Sequence, residues 1–325
     1  MFKKKLGFLL MIMLVLSLGG YAVCSMAGTK QLEKEDDFLL VTSFYPMYIL
    51  AQNLTEHAEG ITVSNLTENQ TGCLHDYQLT SGDMKLLSAA DAFLINGAGM
   101  ELFVEKILEN YENLPVIDAS EGITLLEGVG HHSHDHEEEE EEHDHPAEEE
   151  HAHTHSHEEN GHVWMDVHLY RIQLQTVATQ LKQLVPEQSG AIETAYKAYD
   201  AELEELFRDM QYMSLQTEGT PVVIFHEAFA YFAEELQMEV LAVLSLDEET
   251  VPSAGEIAEV IEEIKYHGSA LILIEEQYGE HARKIMEETD ATVVYLNPLV
   301  TGDGSAHSYV REMQNNLEAL KSAIE

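Results

Sequence analysis

The sequence predicts an α/β protein of two lobes, each a mostly parallel sheet flanked by helices, joined by a long rigid spine helix. Short apolar runs alternate with amphipathic helical stretches on both sides of the middle of the chain. Strands separated by helices at this interval make βαβ units and parallel sheets. Between the two halves, residues 191–215 keep one helical pattern rich in Ala, Glu and Leu, with no internal Gly or Pro. At roughly 1.5 Å per residue that run is about 38 Å long, which suits a rod between two lobes better than an ordinary core helix. The halves are further set apart by residues 131–160, which carry almost no apolar side chains to offset the entropy of ordering the backbone. The sequence predicts a mobile loop there.

In chain order, FLLVTSF (38–44) is a short apolar run bounded by Pro46, the pattern of a buried strand. Helical spacing follows over 48–57, a strand over 61–66, a short helix over 83–90 and a strand over 92–95 that ends at Asn96-Gly97-Ala98-Gly99. A helix over 101–111 and a strand over 116–118 complete the first half. After the loop, 169–184 is helical, Pro186 interrupts, and the long helix follows. The second half repeats the alternation with strands over 221–225, 240–244, 270–274 and 292–296, and helices over 228–236, 253–267, 282–289 and 309–324. The predicted organisation is a signal peptide over 1–27, a tether over 28–37, a first lobe over 38–168 containing the loop, a helical linker over 169–219 and a second lobe over 220–325.

The 325 residues include 16 basic and 60 acidic side chains, a formal net charge of −44. A surface this acidic repels phosphate backbones and anionic headgroups, so nucleic acid is excluded as a partner and cations are favoured. Lys3, Lys4 and Lys5, an apolar run over 6–18 and Ser25-Met26-Ala27 read as an export signal with a small-x-Ala cleavage site. The apolar run is short for a membrane span. Cys24 stands where exported bacterial proteins are often lipidated, although Tyr21-Ala22-Val23 fits that pattern poorly. With cleavage after Ala27, Cys73 is the one remaining cysteine, so no internal disulfide forms. The chain is therefore expected outside the cytoplasmic membrane, periplasmic or at the cell surface, with lipid anchoring at Cys24 as an alternative.

Ten histidines lie between His131 and His157, interleaved with carboxylates that include six consecutive glutamates over 137–142. Neutral imidazole is a preferred ligand of zinc and its neighbours, and the carboxylates add oxygen donors and negative potential. Three further histidines stand just beyond strands or at joints between elements: His75 in GCLHDY, His162 in GHVWMD and His226 in FHEAF. Ligands of open α/β sheets gather at the carboxyl ends of strands. A lone histidine is usually structural, but three at comparable positions beside a histidine-rich loop point to one divalent metal. Asp76, Asp166 and Glu227 are placed to accept the second ring N–H, and Cys73 is a competing soft donor.

The segments GCLHDYQLTSGDMKLLSAADAFLINGAGME (72–101), NGHVWMDVHLY (160–170), VIFHEAFAYFAEELQ (223–237), ALILIEEQYG (270–279) and LNPLV…SYVREMQNNLEAL (296–320) resemble the zinc and manganese substrate-binding proteins of bacterial ABC uptake transporters, a family that includes metal-binding lipoproteins and adhesins. The resemblance implies a metal site in the cleft between two lobes, with His75, His162 and His226 as ligands. It implies transported Zn²⁺, with Mn²⁺ as the alternative, a permease in the cytoplasmic membrane as partner, a monomeric binding protein and no enzymatic activity. Histidine at position 226 resembles the zinc branch, as does the acidic histidine-rich loop. Many relatives place Asp or Glu after the last strand, where this chain has Asn297. The fourth donor stays open among water, Glu275, Asn297, Asp303 and the loop.

Three other patterns lead elsewhere. His226-Glu227 begins like H-E-x-x-H, but Ala230 stands where the second histidine belongs. Gly97-Ala98-Gly99 lacks the further glycine of a dinucleotide fingerprint. The sequons at Asn53, Asn65 and Asn69 carry no meaning in an exported bacterial protein. The rival functions are a zinc hydrolase using Glu227 or Glu275 as base, for which no substrate signature exists, and an extracytoplasmic zinc buffer or adhesin.

Overall fold

The computed structural model describes residues 37–67, 77–101, 103–104, 111, 113–128, 159–244 and 252–325. The predicted alternation is realised as two separate four-stranded sheets in which every neighbouring pair is parallel. The first holds β1 (Phe38–Thr42), β2 (Ile61–Asn65), β3 (Ala92–Ile95) and β4 (Val116–Asp118) in the order β2-β1-β3-β4. A two-residue ribbon follows, β5 (Leu126–Glu127) antiparallel to β6 (Glu159–Asn160). The second sheet holds β7 (Pro221–Ile224), β8 (Glu239–Val243), β9 (Leu271–Ile274) and β10 (Thr292–Tyr295) in the order β10-β9-β7-β8. The helices are α1 (Tyr45–Thr55), α2 (Ser81–Ala89), α3 (Val167–Leu184), α4 (Ser189–Thr217), α5 (Ala228–Glu235), α6 (Ala254–His267), α7 (Gly279–Glu288) and α8 (Ser308–Ile324).

Strand parity explains how the two sheets share one interior. Successive side chains point to opposite faces. In β1 and β3, Leu40, Ala92 and Leu94 enter the main core, whereas Val41 and Phe93 join a small cluster with Leu66, Leu87 and Val104. In β7 and β9, Val222, Ile224, Leu271 and Leu273 enter that same main core, while Val223, Ile272 and Ile274 face a second small cluster with Val260, Ile264 and Ile285. Each sheet is thus buried on both faces, and its inner face meets helices common to both halves. This is why the strands read as continuous apolar runs rather than as alternating ones.

The long helix α4 has 29 residues, about 44 Å at the usual rise. It packs against α1, α3, α5 and α8. Its buried stripe of Ile192, Tyr199, Leu203, Leu206 and Met210 belongs to the main core. The spine is therefore part of a continuous interior rather than an isolated rod.

Helix starts follow local chemistry. Helix α1 begins at Tyr45, three residues before the predicted start, because Pro46 sits in its first turn, where a missing N–H costs nothing. Thr80 and Asp83 form a capping box that starts α2 at Ser81, and Ser253 and Glu256 do the same for α6. Gly268, at φ +86°, stops α6 in a left-handed conformation that favours glycine. The predicted loop over 131–160 is corrected at its end: Glu159 and Asn160 are ordered in β6. A two-residue strand has no periodicity to detect. The rest of that loop, most of the predicted helix over 101–111, His75 and Cys73 lie outside the described residues. Among the described residues no helix is long and apolar enough to cross a membrane.

Candidate metal centre

His226 lies two residues past β7, and Glu275 directly follows the neighbouring strand β9. Ile224 pairs with Leu273 and the Phe225 N–H donates to the Leu273 carbonyl at 3.0 Å, so the register sets His226 beside Glu275. Nδ1 of His226 is 3.0 Å from a Glu275 carboxylate oxygen, with both side chains largely buried.

His162 is brought in by irregular chain. Ribbon β6 ends at Asn160, and the turn Val163–Met165, whose three side chains are fully buried, leads to α3. Trp164 Nε1 donates to the Pro298 carbonyl at 2.9 Å, the Tyr309 hydroxyl donates to the Trp164 carbonyl at 2.7 Å, and Phe44 meets the indole edge-on at 4.9 Å. This indole ties the His162 segment to the loop after β10. Gly161 permits the approach of the Asn96-Gly97 turn: a Cβ there would stand 2.7 Å from the Ala98 carbonyl oxygen.

The rings of His162 and His226 are edge-to-face with centroids 5.0 Å apart, and His162 is only 2 % exposed. Two imidazoles on one tetrahedral zinc, with Zn–N of about 2.0–2.1 Å, would place their centroids about 5 Å apart. The centroid spacing of this pair is compatible with a shared ion. Among the described residues, no group of three or more His, Cys, Asp and Glu side chains is gathered into a metal-holding set. The described part of the site is two imidazoles.

The second ring nitrogen of His162 goes to a partner other than the one expected. Asn160 Oδ1 lies 2.8 Å from His162 Nδ1 and accepts the His162 N–H at 3.0 Å. Asp166 instead caps α3, accepting from Leu169 N–H at 2.8 Å. At His226 a Glu275 carboxylate oxygen stands 3.0 Å from Nδ1. Asn297 Oδ1 accepts the Leu299 N–H at 2.8 Å, which fixes a residue at φ +62°, so this amide supports the loop. Asp303 is exposed and paired with Arg311 at 3.1 Å and the Ser305 N–H at 2.9 Å. Sequence reasoning missed Asn160, although its place two residues before a candidate ligand was the available signal.

Buried carboxyls surround the two segments. Glu235 of α5 reaches the start of α3, accepting from Val167 and His168 N–H groups at 2.9 and 3.2 Å. Burial, with the adjacent Asp166 charge, pushes Glu235 up to about 8, and burial also raises Asp166. Glu101 accepts from the Asn96 and Gly97 N–H groups at 2.8 and 3.1 Å, and burial lifts it to about 7 against those bonds. Asn96 in turn donates to the Gly161 carbonyl at 2.9 Å, so Glu101 supports the turn that backs His162.

Two parallel four-stranded sheets thus share a core, with His162 and His226 meeting between a strand end and the segment that leads into α3. Residues 40–323 match the family model described as zinc-uptake complex component A, periplasmic, and the chain belongs to that family. It is 27% identical over 331 residues to the high-affinity zinc uptake system protein ZnuA of Bacillus subtilis, covering 100% of this chain and 99% of the relative. It is 24% identical over 329 residues to the zinc-binding protein AdcA of Streptococcus pyogenes serotype M3, covering 98% of this chain but 61% of that longer protein. Among solved structures, the binding protein FpvC of Pseudomonas aeruginosa with Ni²⁺ superposes with a TM-score of 0.70 at 23% identity, covering 88% of this chain and 96% of that one, which shows the fold. The chain is a non-enzymatic component of an ABC metal-uptake complex, and its ligand is a divalent metal ion.

Proposed function

We propose that this chain captures Zn²⁺ outside the cytoplasmic membrane and delivers it to a membrane permease, with His75, His162 and His226 as ligands. The carrying observation is the 5.0 Å approach of the His162 and His226 ring centroids, a spacing compatible with two imidazoles on one small cation. A nitrogen-rich set favours zinc over manganese, which takes more oxygen. The domain organisation that accompanies this reading is a lobe over 38–168, a linker over 169–219 and a lobe over 220–325, with one interior running through both and closure about the ion correspondingly small. The His/Glu run over 131–160 collects zinc at lower affinity, and the export signal carries the chain across the cytoplasmic membrane, with lipid anchoring at Cys24 as the alternative to cleavage after Ala27.

Metal analysis of the protein purified without an affinity tag, followed by competition among Zn²⁺, Mn²⁺ and Ni²⁺, tests the proposal. One tight zinc per chain is expected, retained on deletion of 131–160 and lost in His75→Ala. Tight binding that prefers Mn²⁺ or Ni²⁺, or that disappears with the loop alone, would contradict it. A deletion strain that grows normally under zinc chelation would favour a buffer over a transport component.

A further inference from the structure

Resting on the proposed metal site, we infer that Asn160 and Glu275 are positioning residues that hold the two imidazoles in the tautomer able to donate Nε2 to the ion. The Asn160 amide has one possible orientation. Its Oδ1 accepts the backbone N–H of His162 at 3.0 Å, and its Nδ2 donates to the backbone carbonyl of Glu227 at 2.9 Å. Both partners are main-chain groups with fixed roles, so the amide cannot be flipped. The oxygen 2.8 Å from His162 Nδ1 is therefore an acceptor, and Nδ1 must carry the proton. In a neutral ring that leaves the lone pair on Nε2. At His226 a carboxylate oxygen of Glu275 lies 3.0 Å from Nδ1; this contact lacks hydrogen-bond geometry and favours a proton on Nδ1 through its charge alone. The other Glu275 oxygen accepts from Gln277 Nε2 at 3.1 Å, which orients the carboxylate.

Asn160 is itself fixed. Its main-chain carbonyl accepts the Tyr231 hydroxyl at 2.7 Å, that hydroxyl accepts the Leu126 N–H at 3.1 Å, and Asn160 pairs with Leu126 in the ribbon. Its side chain ties the residue after His226 to the backbone of His162, so one amide sets both the tautomer of one donor and the distance to the other. The two devices differ in charge. A carboxylate behind an imidazole strengthens it as a donor, whereas a neutral amide only orients it.

The test compares metal affinity and ring tautomer in the full mature chain. Asn160→Ala and Glu275→Ala are each expected to weaken Zn²⁺ binding about 10- to 100-fold. Asn160→Asp keeps the acceptor at Nδ1 but loses the donor to Glu227, so it should recover part of the loss, and Glu275→Gln keeps an acceptor without the charge and should recover most of it. Long-range ¹H–¹⁵N spectra of the metal-free protein should show Nδ1–H at His162 and His226, preserved in the conservative variants and mixed in the alanine variants. The inference is overturned if the alanine variants bind as tightly as the parent, if Asn160→Asp is as weak as Asn160→Ala, or if either ring carries its proton on Nε2. His162→Ala and His226→Ala separate the two levels. If they bind zinc normally the metal site itself is wrong; if they lose binding while Asn160→Ala does not, the positioning role alone fails.

Discussion

The two candidate donors are held by opposite kinds of structure. His226 follows a parallel strand, and regular register with the next strand delivers Glu275 to its Nδ1. His162 sits in irregular chain between a two-residue ribbon and a 3-10 turn, and its position depends on particular side chains: Asn160 behind the ring and Trp164 two residues on. Backbone ladder bonds place one ligand, and a few buried polar contacts place the other. The difference teaches that a site at strand ends is robust on its sheet side and vulnerable where loops supply the remaining donors.

That contrast is broken most strongly at Trp164. The side chain is fully buried and spans from Phe44 to Pro298. Trp164→Ala should cost about 3–5 kcal/mol of stability and, measured by denaturant unfolding and zinc titration together, should impair binding beyond any effect on the sheet-side donor. Next in size are the ligands themselves. A four-donor structural zinc site is worth roughly 10–16 kcal/mol, so one imidazole accounts for roughly 3 kcal/mol, about a hundredfold in affinity. Competition titrations of His162→Ala and His226→Ala should show losses of this order in both, and a loss confined to one would dissolve the pairing.

A smaller effect is expected at Tyr309, whose hydroxyl donates to the Trp164 carbonyl at 2.7 Å. Tyr309→Phe should lower stability by about 1 kcal/mol and leave the core intact, since Tyr309 also stacks on Tyr170 at 3.9 Å. A pH effect is expected at the seam between the segments. Glu235 is raised above its unfolded value, so its contribution to folding is full below about pH 4 and is lost as pH rises toward about 8. The melting temperature of the metal-free chain should fall between pH 5 and 8.5, and Glu235→Gln should flatten that slope.

The sheets were legible because a strand buried on both faces reads as an unbroken apolar run, as in Val222-Val223-Ile224 and Leu271-Ile272-Leu273-Ile274. The long helix was legible because nothing in it breaks helical periodicity. The candidate ligands His162 and His226 stood out by type and by their place after apolar runs. Their partners did not. Asp166 is charged and was the expected partner, yet Asn160 stands behind His162 and Glu275 beside His226, because a two-residue ribbon and a register between strands 49 residues apart leave no local pattern. The role of Asn297 as a turn-stabilising amide likewise depends on the left-handed Leu299 that its oxygen supports.

The most direct test is X-ray absorption at the zinc edge on protein lacking 131–160 and loaded with one equivalent of Zn²⁺. Three imidazole donors at about 2.0–2.1 Å are predicted, falling by one in His162→Ala and by one in His226→Ala. A spectrum dominated by oxygen scattering, or one that either substitution leaves unchanged, would contradict the account.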